Sequence, residues 1–395
     1  MIPVNEPLMA KNTLKYVTDC IKTNWISSAG KYITTFEENF ARFLGTKHAV
    51  TTTSGTTALH LALESLGIGP EDEVIVPDLT MIAVPYAVLY TGAKPVFIDV
   101  DPDIFNINPE KVREFLESQC EYNPKSKKTI NKNTGRFVKA ILPVHLYGHC
   151  CPMDDVSAIA EEFNLFIVED AAEAHGALYY SQKNKGEAFY AGTMGDAGCF
   201  SFYANKIITT GEGGMMVTEN DSIADKARRL KDLAHSTEKR FLHTELAFNY
   251  RMTNLQAAVG VSMLEEIDRF IGIKRKMAAA YDERLQDVEG LRLPEEKHWA
   301  KNVYWMYAVV VEEAFGKPRD MLMAALKEEG IDTRSFFIPA HRQFVFLRDW
   351  ESFDQNFPVS NGLSEKGFYL PSGLALTEEQ IDTVCAAVKK IRSKT

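Results

Sequence analysis

The stretch FSFYANKIITTGEGGM, Phe200 to Met215, decides how the rest of the chain is read. An apolar strand delivers Ser201, and Lys206 follows five residues later in a turn rich in threonine and glycine. Lysines are ordinarily solvated surface charges. Lys206 instead has apolar or small neighbours, with no acidic cluster inside the segment to compensate its charge. Such surroundings favour a nucleophilic amine, suited to Schiff-base chemistry. The following Gly211-Glu212-Gly213-Gly214 permits tight backbone turns close to a ligand.

Working outward, VEDAAEAHGA (Val168–Ala177) carries an apolar strand into Glu169-Asp170, followed by small residues. An acidic residue at the carboxyl end of a parallel strand points into the ligand crevice of a wound sheet. Read alone, Asp170 serves equally as a helix cap. Further upstream, TTTSGTTALHLAL (Thr51–Leu63) runs a strand into Ser54-Gly55-Thr56-Thr57 and directly into an apolar helix. Backbone N–H groups at a helix start, with hydroxyls beside them, suit a phosphate, although Ser-Gly-Thr turns are also common caps. Together the segments supply a phosphate cradle, a carboxylate and an imine-forming lysine. That set matches pyridoxal 5'-phosphate (PLP), whose ring nitrogen needs a carboxylate against it.

Beyond these motifs, short β-rich runs alternate with amphipathic helical stretches, the pattern of a wound α/β domain. The spacing predicts strands over 48–52, 73–76, 95–99, 139–145, 165–169, 198–203 and 215–218, with helices over 56–66, 109–118 and 153–163. Strands apolar on both faces imply a sheet covered by helices on each side. A long helical pattern from Leu255 to about Val288 is interrupted only by Gly260 and Gly272. From Asn302 the pattern becomes strand (304–311), helix (318–329), strand (333–336) and a last helix over about 378–392. The organisation predicted is a large α/β domain with its N-terminal segment (1–254), a connecting long helix (255–290) and a small α+β C-terminal domain (291–395). The polar stretches 121–136 and 180–187 read as surface insertions without chemistry.

Composition narrows the function classes. Lys and Arg total 44 against 54 Asp and Glu, a formal net charge of −10. Non-specific nucleic-acid binding needs a basic face, so no nucleic-acid partner is expected. No run approaches the roughly 18 apolar residues of a membrane span, and the N-terminus lacks the pattern of a signal peptide. Six cysteines without metal-site spacing read as buried free thiols, so no metal site is expected. These features together predict a cytoplasmic protein.

In these motifs, taken in order, the chain resembles the DegT/DnrJ/EryC1/StrS sugar aminotransferases. The likeness extends through WISSAGKYITTFEENFA (25–41), DEVIVPDLT (72–80), GAKPVFIDVD (92–101), LPVHLYGH (142–149) and FNYRMTNLQAAVG (248–260). It implies the PLP-dependent transferase fold type I, aspartate-aminotransferase-like, with a mostly parallel mixed sheet. It also implies a homodimer whose active site is shared. By resemblance, Lys206 holds the cofactor covalently and Asp170 meets the pyridine nitrogen. Gly55, Thr56 and Ser201 hold the phosphate, Asn249 reaches the phosphate in the neighbouring subunit, and Glu173 lies near the phenolic oxygen. Glu173 is typical of the perosamine-forming members. Met81 stands where the family usually has an aromatic residue on the ring, and a thioether can pack there too.

For the substrate, the resemblance points to Trp25, Ser27, Ser28 and His341, with Trp25 equally readable as core. His145 and His149 lie near the crevice but read first as satisfied structural histidines. The segment Asn302–Tyr307 resembles a substrate-facing part of the small domain. The implied reaction moves an amino group from L-glutamate to a 4-keto-6-deoxy sugar nucleotide, GDP-4-keto-6-deoxymannose by the perosamine likeness. Two other readings stand beside it, a PLP-binding sensor without turnover and a PLP-dependent sugar dehydratase. Dehydratase relatives carry histidine where this chain keeps Lys206.

Overall fold

A computed structural model describes residues 1–236, 238–239, 241–347 and 356–393. The main sheet runs in the order His48–Thr52, Gly214–Thr218, Ala197–Ser201, Phe166–Asp170, Phe137–Ile141, Asp72–Pro77, Lys94–Ile98. The last five of these strands are mutually parallel, whereas Gly214–Thr218 lies antiparallel to both its neighbours. The sheet is therefore mixed, and its strands are almost wholly buried, as short apolar runs between helices require.

Register places the chemistry. Cys199 pairs with Asp170 and Ser201 pairs with Gly214, so Asp170 and Ser201 reach the same carboxyl edge on adjacent strands. Thr52 also pairs with Gly214, which brings the helix start at Gly55 to that edge. Beneath the lysine-bearing segment, Phe40 sits 5.0 Å from Phe200 and 5.5 Å from Phe202, ring to ring. Edge-to-face packing of this kind fixes the strand end firmly.

The pattern over 255–288 resolves into two helices, Asn254–Leu264 and Ile267–Leu285. The break falls at Glu265–Glu266, while Gly260 and Gly272 lie inside the helices. Gly260 is there for close approach, since a Cβ would stand 2.5 Å from the Phe36 ring. The two glutamates turn toward the N-terminal segment instead. Glu265 accepts hydrogen bonds from Asn12 and Tyr16, and Glu266 accepts one from the Lys11 N–H.

Both polar stretches read as insertions are hairpins. Cys120–Asn123 and Lys128–Asn131 extend the sheet beside Phe137–Ile141. Leu178–Ser181 and Glu187–Tyr190 form a separate three-stranded sheet with Ala300–Lys301.

The C-terminal part holds a four-stranded antiparallel sheet, Leu291–Arg292, Tyr307–Val311, Gly367–Leu370 and Arg334–Ser335. Strand Gly367–Leu370 and helix Pro358–Lys366 have no counterpart in the sequence reading. Alternation along these strands divides the packing. Phe368 and Leu370 join a second apolar cluster with Met277, Tyr281, Tyr307 and Val388, whereas Tyr369 and Phe336 join the main core. Lys274, fully buried on helix Ile267–Leu285, donates to the carbonyls of Trp305 (2.8 Å) and Ser372. Among the described residues, no helix is long and apolar enough to cross a membrane.

Candidate active site

A cavity of about 350 Å³ opens at the carboxyl edge of the sheet. Gly55, Thr56, Met81, Asp170, Glu173, Ser201 and Lys206 all line it, so seven residues singled out from the sequence converge on one space. Asn205, next to Lys206, lines it as well, and Trp305, Arg334, Phe337 and Tyr369 add to the wall from distant parts of the chain.

Lys206 Nζ lies 3.5 Å from Glu173 Oε1 and 3.9 Å from the centroid of the Trp305 ring. The acidic partner missing from its own segment thus comes from the turn after the Asp170 strand. Glu173 is held in turn by the N–H of Tyr147, 2.8 Å from Oε2. Tyr147 itself sits in the left-handed region (φ 56°), a conformation that turns its N–H onto that carboxylate. Burial pushes the Glu173 carboxyl above its ordinary value, and the nearby Lys206 charge opposes the shift. Burial also raises Asp170, against the Ala172 N–H that donates to Oδ1 at 2.9 Å and the charge of Lys206.

The helix Gly55–Ser65 begins with a capping box: Ser54 and Thr57 satisfy each other's backbone N–H groups. The N–H groups of Gly55 and Thr56, in the first turn, have no intrahelical acceptor and are available to an anion. Gly55 presses on Ser201, where a Cβ would stand 2.7 Å from the serine Cβ. Thr80 Oγ1 and Asn205 Oδ1 are buried without a partner among the described residues, although both residues line the cavity. Free N–H groups at a helix start, a buried carboxylate, an amine and unpartnered polar atoms in one cavity fit PLP.

Other expected residues lie elsewhere. Asn249 is exposed, with Oδ1 accepting from Arg251 Nε at 3.0 Å, and it does not line the cavity. Trp25 is 57% exposed, so the core reading of it fails, and it borders a different depression beside Asp19 and Lys31. Ser27 is exposed and Ser28 half-buried in the same segment. His341 Nδ1 meets the buried Asp78 at 2.7 Å rather than facing the cavity. His145 and His149 are satisfied in the core. Glu169 receives His145 Nε2 at 2.8 Å, and burial pushes His149 down to about 4.

Trp305, Arg334 and Tyr369 were missed as lining residues, since nothing local marks them, and Asn205 was passed over although it adjoins Lys206. Only the likeness of 302–307 to a substrate-facing segment hinted at Trp305. Its Nε1–H donates to the Asn205 carbonyl at 2.7 Å, one residue before Lys206.

Comparison with known proteins extends this geometry. Residues 7–389 match the DegT/DnrJ/EryC1/StrS aminotransferase family. GDP-perosamine synthase of Vibrio cholerae is 39% identical over 389 residues, covering 98% of each chain. Among solved structures, DesV of S. venezuelae in complex with a ketimine intermediate superposes with a TM-score of 0.85. Its identity is 31%, with 97% of this chain and 95% of that one covered. DesI, solved in the presence of its TDP-sugar product, gives 0.85 at 28% identity, covering 100% and 93%.

Proposed function

The chain belongs to the DegT/DnrJ/EryC1/StrS aminotransferase family and is a PLP-dependent sugar aminotransferase of fold type I; from that premise we propose that it aminates a 4-keto-6-deoxy sugar nucleotide with L-glutamate as donor. GDP-4-keto-6-deoxymannose is the substrate we favour, since the GDP-perosamine synthase relative aligns over almost the whole of both chains. The product would be GDP-perosamine, an amino sugar for a cell-surface glycan such as the O-antigen of lipopolysaccharide. We place the reaction in the cytoplasm, in keeping with six free, buried cysteines.

One observation carries the reading: the Lys206 amine, the Glu173 and Asp170 carboxylates and the Gly55–Ser201 contact share one cavity. PLP, when bound, supplies an electron sink for a carbanion at the donor's α-carbon. Lys206 would hold the cofactor at rest, and its free amine would move a proton to and from that carbon. Asp170 keeps the ring nitrogen protonated, for which its buried place at the strand end is suited. Glu173 orients the amine from one side and Trp305 packs over it from the other. Gly55, Thr56 and Ser201 take the phosphate, and Met81 covers the ring face. Asn249 reaches the second site of a homodimer. Trp25, Ser27, Ser28 and His341 line the approach of the sugar nucleotide once two subunits assemble.

A lysine at 206 weighs against a dehydratase, and the full residue set weighs against a sensor without turnover. Purified protein is mixed with PLP, L-glutamate and a panel of GDP-, dTDP- and UDP-linked 4-keto-6-deoxy sugars. Amino-sugar formation with the GDP substrate is expected. A stable, unreactive cofactor absorbance with every sugar would refute the reading.

A further inference from the structure

The peptide bond that precedes Lys206 is held from both ends. The Lys206 N–H donates to the Tyr203 carbonyl at 2.9 Å, and the Asn205 carbonyl accepts from the Trp305 indole at 2.7 Å. That carbonyl also accepts from Nδ2 of Asn5, at 3.2 Å, across 200 positions of sequence. A carbonyl oxygen carries two lone pairs, so the two donors fill it. Since a peptide unit is planar, fixing its carbonyl and its N–H fixes where the Lys206 Cα stands.

Asn5 is itself anchored through backbone. Residues 1–6 lie along the C-terminal part as a strap. Ile2 pairs with Ile331, its N–H donating to the Gly330 carbonyl and its carbonyl accepting from the Asp332 N–H. The carbonyl of buried Val4 accepts from the Ser372 N–H at 2.8 Å. Glu6 lies so close to Gly373 that a Cβ there would stand 2.6 Å from the Glu6 nitrogen. Lys274 meets the carbonyls of both Ser372 and Trp305, so strap, long helix and indole share one support. With a neighbour tied down on each side, the half-buried Asn5 turns its amide to the lysine-bearing segment.

A lysine side chain is a flexible four-carbon stem, so precision at Nζ begins at the backbone. Nζ has to keep its place beside Glu173 and the Trp305 ring, and a misplacement of about 1 Å can cost roughly a hundredfold in rate. We infer that Asn5 is a positioning residue for the amino transfer: with the Trp305 indole it fixes the peptide that bears Lys206, and so makes the N-terminal strap part of the catalytic apparatus. This rests on the aminotransferase reading of the cavity and adds to it a residue that does not line the cavity.

The test uses the full chain with Asn5→Ala and Asn5→Gln. The first readout needs no cofactor. Hydrogen exchange in apo-protein, followed by mass spectrometry, should quicken severalfold at the Lys206 peptide in Asn5→Ala, while the strand Gly214–Thr218 keeps its protection. The second is rapid mixing of holoenzyme with L-glutamate alone. Cofactor conversion should slow about three- to tenfold, the factor one neutral hydrogen bond supplies, with PLP affinity and half-saturating glutamate unchanged. Asn5→Gln, which keeps an amide donor, should recover part of both. In Asn5→Ala combined with Trp305→Phe, the loss should depart from the product of the two, because the pair shares one acceptor. A wild-type rate in Asn5→Ala would overturn the inference, as would a slow rate with exchange at Lys206 unaltered, or losses that multiply independently. A slow rate accompanied by weakened PLP binding and a lowered melting temperature would also overturn it, making Asn5 merely structural. If no amino acid converts even the wild-type cofactor while exchange at Lys206 still depends on Asn5, the aminotransferase reading falls and the anchoring stands.

Discussion

Gly55→Ala sets two effects against each other at a single carbon. The residue opens a helix and its backbone conformation is available to alanine, so propensity alone favours the change by up to ~1 kcal/mol. Space opposes it. The new Cβ would lie 2.7 Å from Ser201 Cβ and 3.3 Å from Ser201 Cα, whereas non-bonded carbons settle at about 3.5–4.0 Å. Neither atom is the free end of a flexible side chain, so the helix start must recede from the strand by about 1 Å. Overpacking of this kind costs ~1–3 kcal/mol, and after the propensity gain the net expectation is a loss of up to ~2 kcal/mol. Unfolding entropy of about 2.1 cal/mol/K per residue makes that worth at most ~2 °C in a chain of 395 residues. A thermal melt will barely register it. Cofactor affinity is the sharper assay, because the receding segment carries the N–H groups proposed for the phosphate. Losing one charge-assisted hydrogen bond, at ~1.5–3 kcal/mol, weakens PLP binding about ten- to a hundredfold. The measurement is a PLP titration of apo-protein followed by absorbance or fluorescence. An alanine variant that binds PLP as tightly as wild type would show that the phosphate does not sit at Gly55.

Three further outcomes are expected. Lys206→Ala should fold and lose turnover, and borohydride reduction followed by peptide mapping should label residue 206 in wild type alone; a label elsewhere would sink the assignment. Asp170→Asn keeps the volume and removes the charge proposed to face the ring nitrogen, so kcat should fall on the order of a hundredfold, with protein stability little changed. Burial pushes Lys274 down to about 7, against about 10.4 for a free lysine. Between those values the unfolded chain holds a proton that the folded chain has shed, so wild-type stability should climb from pH 7 toward pH 10. Denaturant titrations of Lys274→Met across that range should lack the climb, and an identical slope in both proteins would contradict the burial argument.

Much of the sheet was legible because parallel strands buried on both faces leave continuous apolar runs, as in Asp72–Pro77, Lys94–Ile98 and Phe166–Asp170. The helix break was misplaced because Gly260 lies against Phe36, a contact invisible to local pattern. Among site residues, Gly55, Asp170 and Ser201 each sit on a strand end or helix start, and Lys206 in the turn after the Ala197–Ser201 strand, all with a local signature. Arg334 and Tyr369 carry none, because a two-residue strand pairing with 367–370 brings them to the cavity. Trp25 misled in part, since an aromatic near the N-terminus reads as core until its 57% exposure is seen.

Trp305 is fastened at two points, by its carbonyl to Lys274 on the long helix and by its indole N–H to the backbone just before Lys206. The residue behaves as a coupling rod between the C-terminal sheet and the reactive amine. A shift of the C-terminal elements would be carried through these two hydrogen bonds to the backbone that bears the lysine. Trp305→Phe severs only the indole end of the rod, so a change in the pH profile of turnover in that variant, with substrate affinities intact, would report the transmission directly.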